Sequence, residues 1–414
     1  MASRNRSTIT RRWFMASSAA SVAVLSLEDF LVRDAFAQTV RTRAALETSE
    51  GQRNLRLYRR AVTEMRGDSL PAHDPKSWSF QANIHDYPVN EDIERIFRNR
   101  GSNATIRQHY ELAIGGGGKA GIWRTCSHFH PEGNIHFLSW HRMYLYFFER
   151  IVERIVGEPF AMPYWNYTNP AQRRIPDAFR RSRLTGGGNN RLFLAARQAD
   201  FLNSGLPADA ARAAPALNET RLLRATRGFN SAIEIRPHNV IHGAVGTAEG
   251  MGDTPRAARD PLFWVHHAAV DRFWEGWRFP TDPRQPPANG VSPRDPTQPP
   301  SWQSKTYSFA AADGARVEVT VGEFLKRRNL LNVKYDRFEP TPTGGGLAFG
   351  TGSEGTQVAA TQLSKSTGGG GTLSAKGQST TLDFAPSVPG SVALGFDRNP
   401  NTFYDLVVDV AVSK

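Results

Sequence analysis

Phe137-Leu138-Ser139-Trp140-His141-Arg142-Met143-Tyr144-Leu145-Tyr146-Phe147-Phe148-Glu149-Arg150-Ile151-Val152-Glu153-Arg154-Ile155-Val156 is the stretch on which the architecture turns. From His141 onward, aromatic and aliphatic residues alternate with Arg142, Glu149, Arg150, Glu153 and Arg154, the spacing of an amphipathic helix. The same helical pattern, with long connections, runs from about Leu55 to Phe279. The expectation is a mainly α fold, a helix bundle whose interior can gather side chains from facing helices.

Downstream the pattern changes. Repeated proline from Pro280 to Pro300 removes backbone donors and ends the helical region. Thr306–Phe309 and Arg316–Val321 flank Asp313-Gly314 as a hairpin would, and Glu323–Arg328 suits one or two helical turns. Glycine runs at Gly344–Gly346 and Gly368–Gly371 mark a flexible segment, and the alternation from Thr380 to Val412 predicts a small β unit. The expected division is 38–280 as the helical domain, 281–339 as linker and hairpin, 340–376 as the flexible segment and 377–414 as the β-rich C-terminal unit. Residues 1–37 come before all of these.

Those first residues read as a leader. Thr10-Arg11-Arg12-Trp13-Phe14-Met15 is a twin-arginine start, Met15–Leu27 is weakly apolar, and Ala35-Phe36-Ala37 offers a cleavage site. The implied destination is the periplasm or the exterior. Five arginines and three acidic residues would leave with the leader, lowering the formal net charge from +12 to +10. The remaining arginines are scattered without an interleaved aromatic stripe, which argues against a nucleic-acid partner. No other apolar stretch approaches a membrane span. Cys126 is the sole cysteine, so no intrachain disulfide framework exists. Gly115–Gly118 before Lys119 lacks the spacing and hydroxyl residue of a phosphate loop.

Eight of the eleven histidines fall in three clusters between His128 and His267, a distribution that asks for metal. His238 and His242 stand at i and i+4, on one face of a helix. Asp260-Pro261-Leu262-Phe263-Trp264-Val265-His266-His267 opens another helix, with Asp271 one turn beyond His267 as a residue to orient an imidazole. The remaining cluster holds His128, His130, His136 and His141. His73 and His109 stand apart and read as ordinary histidines.

With these residues in view, the chain resembles the tyrosinase and polyphenol oxidase family of type-3 copper proteins. The resemblance rests on Phe137-Leu138-Ser139-Trp140-His141-Arg142 with Leu145 and Glu149, on Asp260-Pro261-x-Phe263 with His267 and Asp271, and on Pro163-Tyr164-Trp165-Asn166. It covers roughly residues 55–280, and more loosely Trp302–Tyr335. It implies a four-helix-bundle dicopper catalytic domain holding two copper ions. By position, copper A falls to His85, His128 and His141, and copper B to His238, His242 and His267, with His266 a neighbour outside the set. The family's second copper-A histidine stands nine residues before the third, but that position here is Glu132. An insertion over Phe129–Glu132 restores the register and selects His128, with His130 and then His136 as alternatives. Several family members join such a cysteine as Cys126 to the histidine two residues on. A buried, inert thiol is the other reading.

Two adjacent Cu(I) ions supply the two electrons that dioxygen takes, and neutral imidazoles suit copper in both oxidation states. The resemblance therefore implies an oxidase that hydroxylates monophenols and oxidises o-diphenols, with a phenolic small molecule and dioxygen as its partners. Glu234, four residues before His238, and Asn239, next to it, match positions linked to holding a water that deprotonates a monophenol. Their alternative roles are a surface ion pair and a helix cap. Thr254 stands where plant enzymes often place a bulky phenylalanine over copper A, which implies an open pocket. A catechol oxidase, an o-aminophenol oxidase, a hemocyanin-like oxygen carrier and a structural zinc protein are the competing readings. The last 75 residues or so are a candidate shield over the copper mouth.

Overall fold

The computed structural model describes residues 22–33, 36, 39–126, 135–199, 204–223, 228–279, 300–326 and 331–339. The chain divides after Gly346, and every described residue lies before that point. The twin-arginine stretch, Pro280–Pro299, the glycine-rich segment expected over 340–376 and the β unit expected over 377–414 lie outside the described residues.

A short strand β1 (Val24–Ser26) leads directly into helix α1 (Leu27–Val32). Ser26 and Asp29 cap one another's backbone N–H groups, so two donors at the helix start are satisfied reciprocally. Leu25, Leu27 and Phe30 are buried, and the Phe30 ring meets Phe147 at 5.1 Å. These residues belong to the stretch that reads as a leader, yet they pack here as part of the domain. A short apolar run serves a leader and a core element equally well, and its sequence does not distinguish the two.

Strand β2 (Arg41–Arg43) precedes helix α2 (Ser49–Met65), whose start is capped by the Thr48 hydroxyl accepting from Gly51 N–H. Leu55, Tyr58, Ala61, Val62 and Met65 form its buried stripe. Helices α3 (Trp78–His85), α4 (Ala104–Ala113) and α5 (Phe137–Val156) follow, then α6 (Phe229–Ile233), α7 (Val240–Val245) and α8 (Pro261–Arg278). Asp260 accepts from Leu262 N–H at 2.8 Å, Pro261 fills the first turn, and Arg197 holds the Asp260 carboxylate at 2.5 and 2.9 Å.

Helix α5 is central, with α2 and α8 packed directly on it. Phe148 stacks on Trp264 at 3.5 Å, and Trp78 meets both rings edge-on at 6.0 and 6.2 Å. The Tyr144 hydroxyl donates to the Gln81 carbonyl at 2.5 Å, which ties α5 to α3. Each of these aromatic side chains contributes on the order of 2–3 kcal/mol through burial.

Strands β3 (Thr306–Ala310) and β4 (Arg316–Thr320) form the hairpin around Asp313-Gly314, and β1 adds to β4 in parallel, with Leu25 opposite Val317. Strand β5 (Val333–Tyr335) pairs in parallel with β2, placing Tyr335 opposite Arg43.

The polar face of α5 departs from the amphipathic expectation. Arg142, Glu149, Arg150 and Glu153 are all buried. Strands β2 and β5 cover that face and answer its charges: Arg41 Nε reaches Glu153 at 2.5 Å, Arg43 Nε reaches Glu149 at 2.8 Å, and Arg43 Nη1 reaches Asp271 of α8 at 2.7 Å. Arg142 Nε donates to the other Asp271 oxygen at 2.5 Å, and Tyr335 donates to Asp271 Oδ2 at 2.6 Å. Burial opposes the Arg43 charge, but Glu149, Asp271 and the neighbouring Tyr335 outweigh it and hold the guanidinium well above its ordinary value.

Candidate metal centre

His267 projects from α8 toward the segment that carries His238 and His242. Its Nε2 lies 3.3 Å from His238 Nε2 and 3.3 Å from His242 Nε2. Two nitrogens bound tetrahedrally at about 2.05 Å stand about 3.3 Å apart, so these separations fit one shared ion. His266, fully buried beside them, also brings a ring nitrogen within 4.8 Å of those of His238 and His242. Its ring stacks on His238 at 5.5 Å, whereas His267 presents one nitrogen to both partners and also faces His141. The geometry therefore favours His267 over His266.

The helical run that carries the His238/His242 pair is not continuous with α6. Arg236 is extended (φ −147°, ψ 127°), as a residue before proline prefers, and Pro237 has no N–H to continue α6. A new helical register starts after this break and carries both imidazoles, whose ring centroids are 4.5 Å apart. The expected juxtaposition is present, but Pro237 sets its origin.

On the opposite side, His85 ends α3 and His141 lies in the second turn of α5, with ring centroids 5.6 Å apart. Cys126 Sγ is 3.5 Å from His141 Nε2, and the ligand atoms of His85, Cys126 and His141 all lie within 4.8 Å of one another. His128 and His130 lie outside the described residues. His136 immediately precedes α5 instead, its ring parallel to Trp302 at 6.1 Å and edge-on to Tyr307 at 5.7 Å. The two groups of histidines face each other, the rings of His141 and His267 stacking with centroids 4.3 Å apart.

Hydrogen bonds orient the rings. His141 Nδ1 lies 2.8 Å from the Phe137 carbonyl, His242 Nδ1 2.8 Å from the Met251 carbonyl, and His238 Nδ1 2.9 Å from Asn239 Oδ1. An Nδ1–H donated to each oxygen leaves every Nε2 lone pair directed inward, as metal ligation requires. The two carbonyl acceptors are backbone atoms that no sequence motif signals. The role expected for Asp271, orienting His267, is not seen: its carboxylate is occupied by Arg43, Arg142 and Tyr335, and His267 Nδ1 has no hydrogen-bond partner among the described residues. Two buried guanidinium groups draw a carboxylate more strongly than a neutral imidazole does.

Burial, followed by the mutual repulsion of neighbouring rings, pushes His238 and His267 well below the ordinary imidazole value; burial pushes His242 down to about 4. All three are therefore neutral near pH 7. An all-imidazole, uncharged donor set of this spacing fits copper or zinc and suits neither calcium nor magnesium. Glu234 is partly buried at the end of α6, its carbonyl 3.3 Å from His238 Nδ1, and Asn239 is partly buried beside the same nitrogen.

The tyrosinase common central domain matches residues 75–203 and 195–279, which include every histidine just described. This chain belongs to the tyrosinase family of type-3 dicopper proteins. It is 28% identical over 309 residues to a tyrosinase of Hahella sp. (strain CCB-MM4), covering 67% of this chain and 59% of that protein. It is 27% identical to a latent chloroplastic polyphenol oxidase of Prunus armeniaca, covering 67% of this chain and 46% of that one. Among solved structures, a latent aurone synthase described as a polyphenol oxidase shares the fold with a TM-score of 0.51, 24% identity, and coverage of 73% and 59% of the two chains. The chain thus spans about half the length of the curated relatives it matches.

Proposed function

We propose that this protein is a dicopper oxidase that uses dioxygen to hydroxylate monophenols and to oxidise o-diphenols to o-quinones. His238, His242 and His267 would hold one copper; His85 and His141 would hold the other, with His128 as the third ligand. The observation that carries the reading is the pair of facing histidine groups, with His267 Nε2 3.3 Å from two partners and its ring stacked on His141. Two copper ions so placed supply the two electrons that dioxygen requires.

The chain's own residues do the rest. Neutral, inward-facing imidazoles bind without a proton to displace, and the Phe137, Asn239 and Met251 oxygens fix three of their tautomers. Glu234 would accept the phenolic proton through a water, positioned with Asn239, whose amide oxygen also orients His238. Thr254, at the start of the short helical turn Thr254–Ala257, leaves substrate access open where a phenylalanine would restrict it. Export by the twin-arginine route follows from Thr10–Met15; among the described residues, no helix is long and apolar enough to cross a membrane.

The test is turnover of a tyrosine-like monophenol, a catechol and an o-aminophenol by copper-loaded protein, with metal content measured on the same sample. Two coppers per chain and turnover of both phenol types are expected. Reversible oxygen uptake without turnover would identify an oxygen carrier, and catechol oxidation without monophenol hydroxylation would remove the roles given to Glu234, Asn239 and Thr254.

A further inference from the structure

Two of the histidines outside the copper set, His73 and His109, stand apart from the clusters in the sequence. His73 sits in the turn between α2 and α3, and His109 is in α4; thirty-six residues apart, they meet with Nδ1 atoms 3.3 Å apart. Their ring centroids are 5.6 Å apart, tilted by 37°. This is the same nitrogen separation that His267 shows to each of its two partners. It equals the span of about 3.3 Å across a tetrahedral ion and exceeds the usual hydrogen-bond distance of about 2.9–3.0 Å.

The surroundings restrict which nitrogens are available. Gly314, at the tip of the β3–β4 hairpin with φ +85°, lies so close to His109 that a Cβ there would stand 3.3 Å from His109 Nε2. The hairpin thus covers Nε2 and leaves Nδ1 turned toward His73. His109 is buried while His73 is partly exposed, so the pair has protein on one side and access to water on the other. Burial lowers the proton affinity of both rings; Asp74 opposes this for both, and Lys76 adds to it at His109. Asp74, the next residue after His73, accepts from the Lys76 N–H at 2.8 Å and sets a negative charge near both rings. Phe97 closes one side, its ring 6.4 Å from that of His73.

We propose that His73 and His109 form a separate mononuclear site for a divalent transition cation, Zn2+ or Cu2+, bound through the two Nδ1 atoms with water completing its shell. Such an ion joins the turn before α3 to α4 under the hairpin tip, away from the residues assigned to phenol oxidation.

The experiment uses the full-length, copper-loaded protein, titrated with Zn2+ in competition with a chromophoric chelator, beside His73→Asn and His109→Asn. The wild type is expected to take up one further equivalent. Each variant should bind it at least about tenfold more weakly, a loss that even an outer partner of a metal ligand can cause. The His73→Asn protein should retain wild-type catechol turnover and copper content. Because His109 is buried, its variant can fail to fold; His73, partly exposed, keeps the test decisive. If the wild type binds no additional zinc, or if His73→Asn binds it equally well, the two rings merely share a hydrogen bond and the proposal falls. Neither result depends on phenol turnover, so this site and the oxidase reading fail separately.

Discussion

Replacing Asp271 with alanine tests the buried charge network that braces the metal-bearing helices. Asp271 is 5% exposed and receives Arg43 at 2.7 Å, Arg142 at 2.5 Å and the Tyr335 hydroxyl at 2.6 Å. Removing it leaves two buried guanidinium groups without that counter-charge. Breaking a buried pair in this way costs about 3–5 kcal/mol. At about 2–4 °C per kcal/mol for a domain of roughly this size, the melting temperature should fall by about 6–20 °C. Tyr335→Phe removes the hydroxyl that donates to Asp271 and accepts from Arg43 at 3.0 Å but no charge, on the order of 1.5–3 kcal/mol, and Asp271→Asn, which keeps an acceptor but not the charge, should fall between the two. Thermal unfolding of the three variants, followed by circular dichroism at one protein concentration and metal load, gives the order directly. An Asp271→Ala protein melting within about 2 °C of wild type, or no lower than Tyr335→Phe, would refute the assignment of the network as a brace.

Two other predictions concern the histidines. His267→Ala should reduce bound copper from two ions toward one by elemental analysis, whereas His266→Ala should keep both and lose stability through the cavity it leaves; equal copper loss in both variants would mean that the trio is wrongly chosen. In metal-free protein, His238, His242 and His267 stay neutral in the fold while the unfolded chain protonates near the ordinary value of 6.5. Stability is therefore complete above that pH and drains as the pH falls toward about 4, the value for His242. Melting temperatures of the metal-free protein at pH 7.5 and pH 5 check this, and an unchanged value would contradict it.

Much of the fold was legible because long periodic segments advertise themselves. The stretch Phe137–Val156 reads as a helix from its pattern alone, and Asp260-Pro261 announces the start of α8 through capping chemistry. What covers a helix is a long-range matter: nothing near Arg142 or Glu149 in the chain indicates that Arg43 and Tyr335 will lie against them. The candidate site was legible in its imidazoles, since copper needs those side chains whatever surrounds them. The carbonyls of Phe137 and Met251 were not, because every residue has one. Asp271 misled for a related reason: its position one turn from His267 is correct, but position on a helix does not show which partner wins a carboxylate. The Pro237 break was visible as a residue, while its consequence, a fresh register carrying both His238 and His242, depends on the backbone at Arg236.

The pairing of β1 with β4 has a consequence for maturation. A peptidase acting after Ala37 would strip the sheet of its outer strand and uncover the apolar bed beneath Phe30, beside a cavity of about 390 Å³. β4 would then present unsatisfied amide and carbonyl groups along one side, an invitation to other chains. Trimming at that point and keeping the molecule monomeric thus pull in opposite directions, and a mature form that retains Val24–Val32 escapes the conflict.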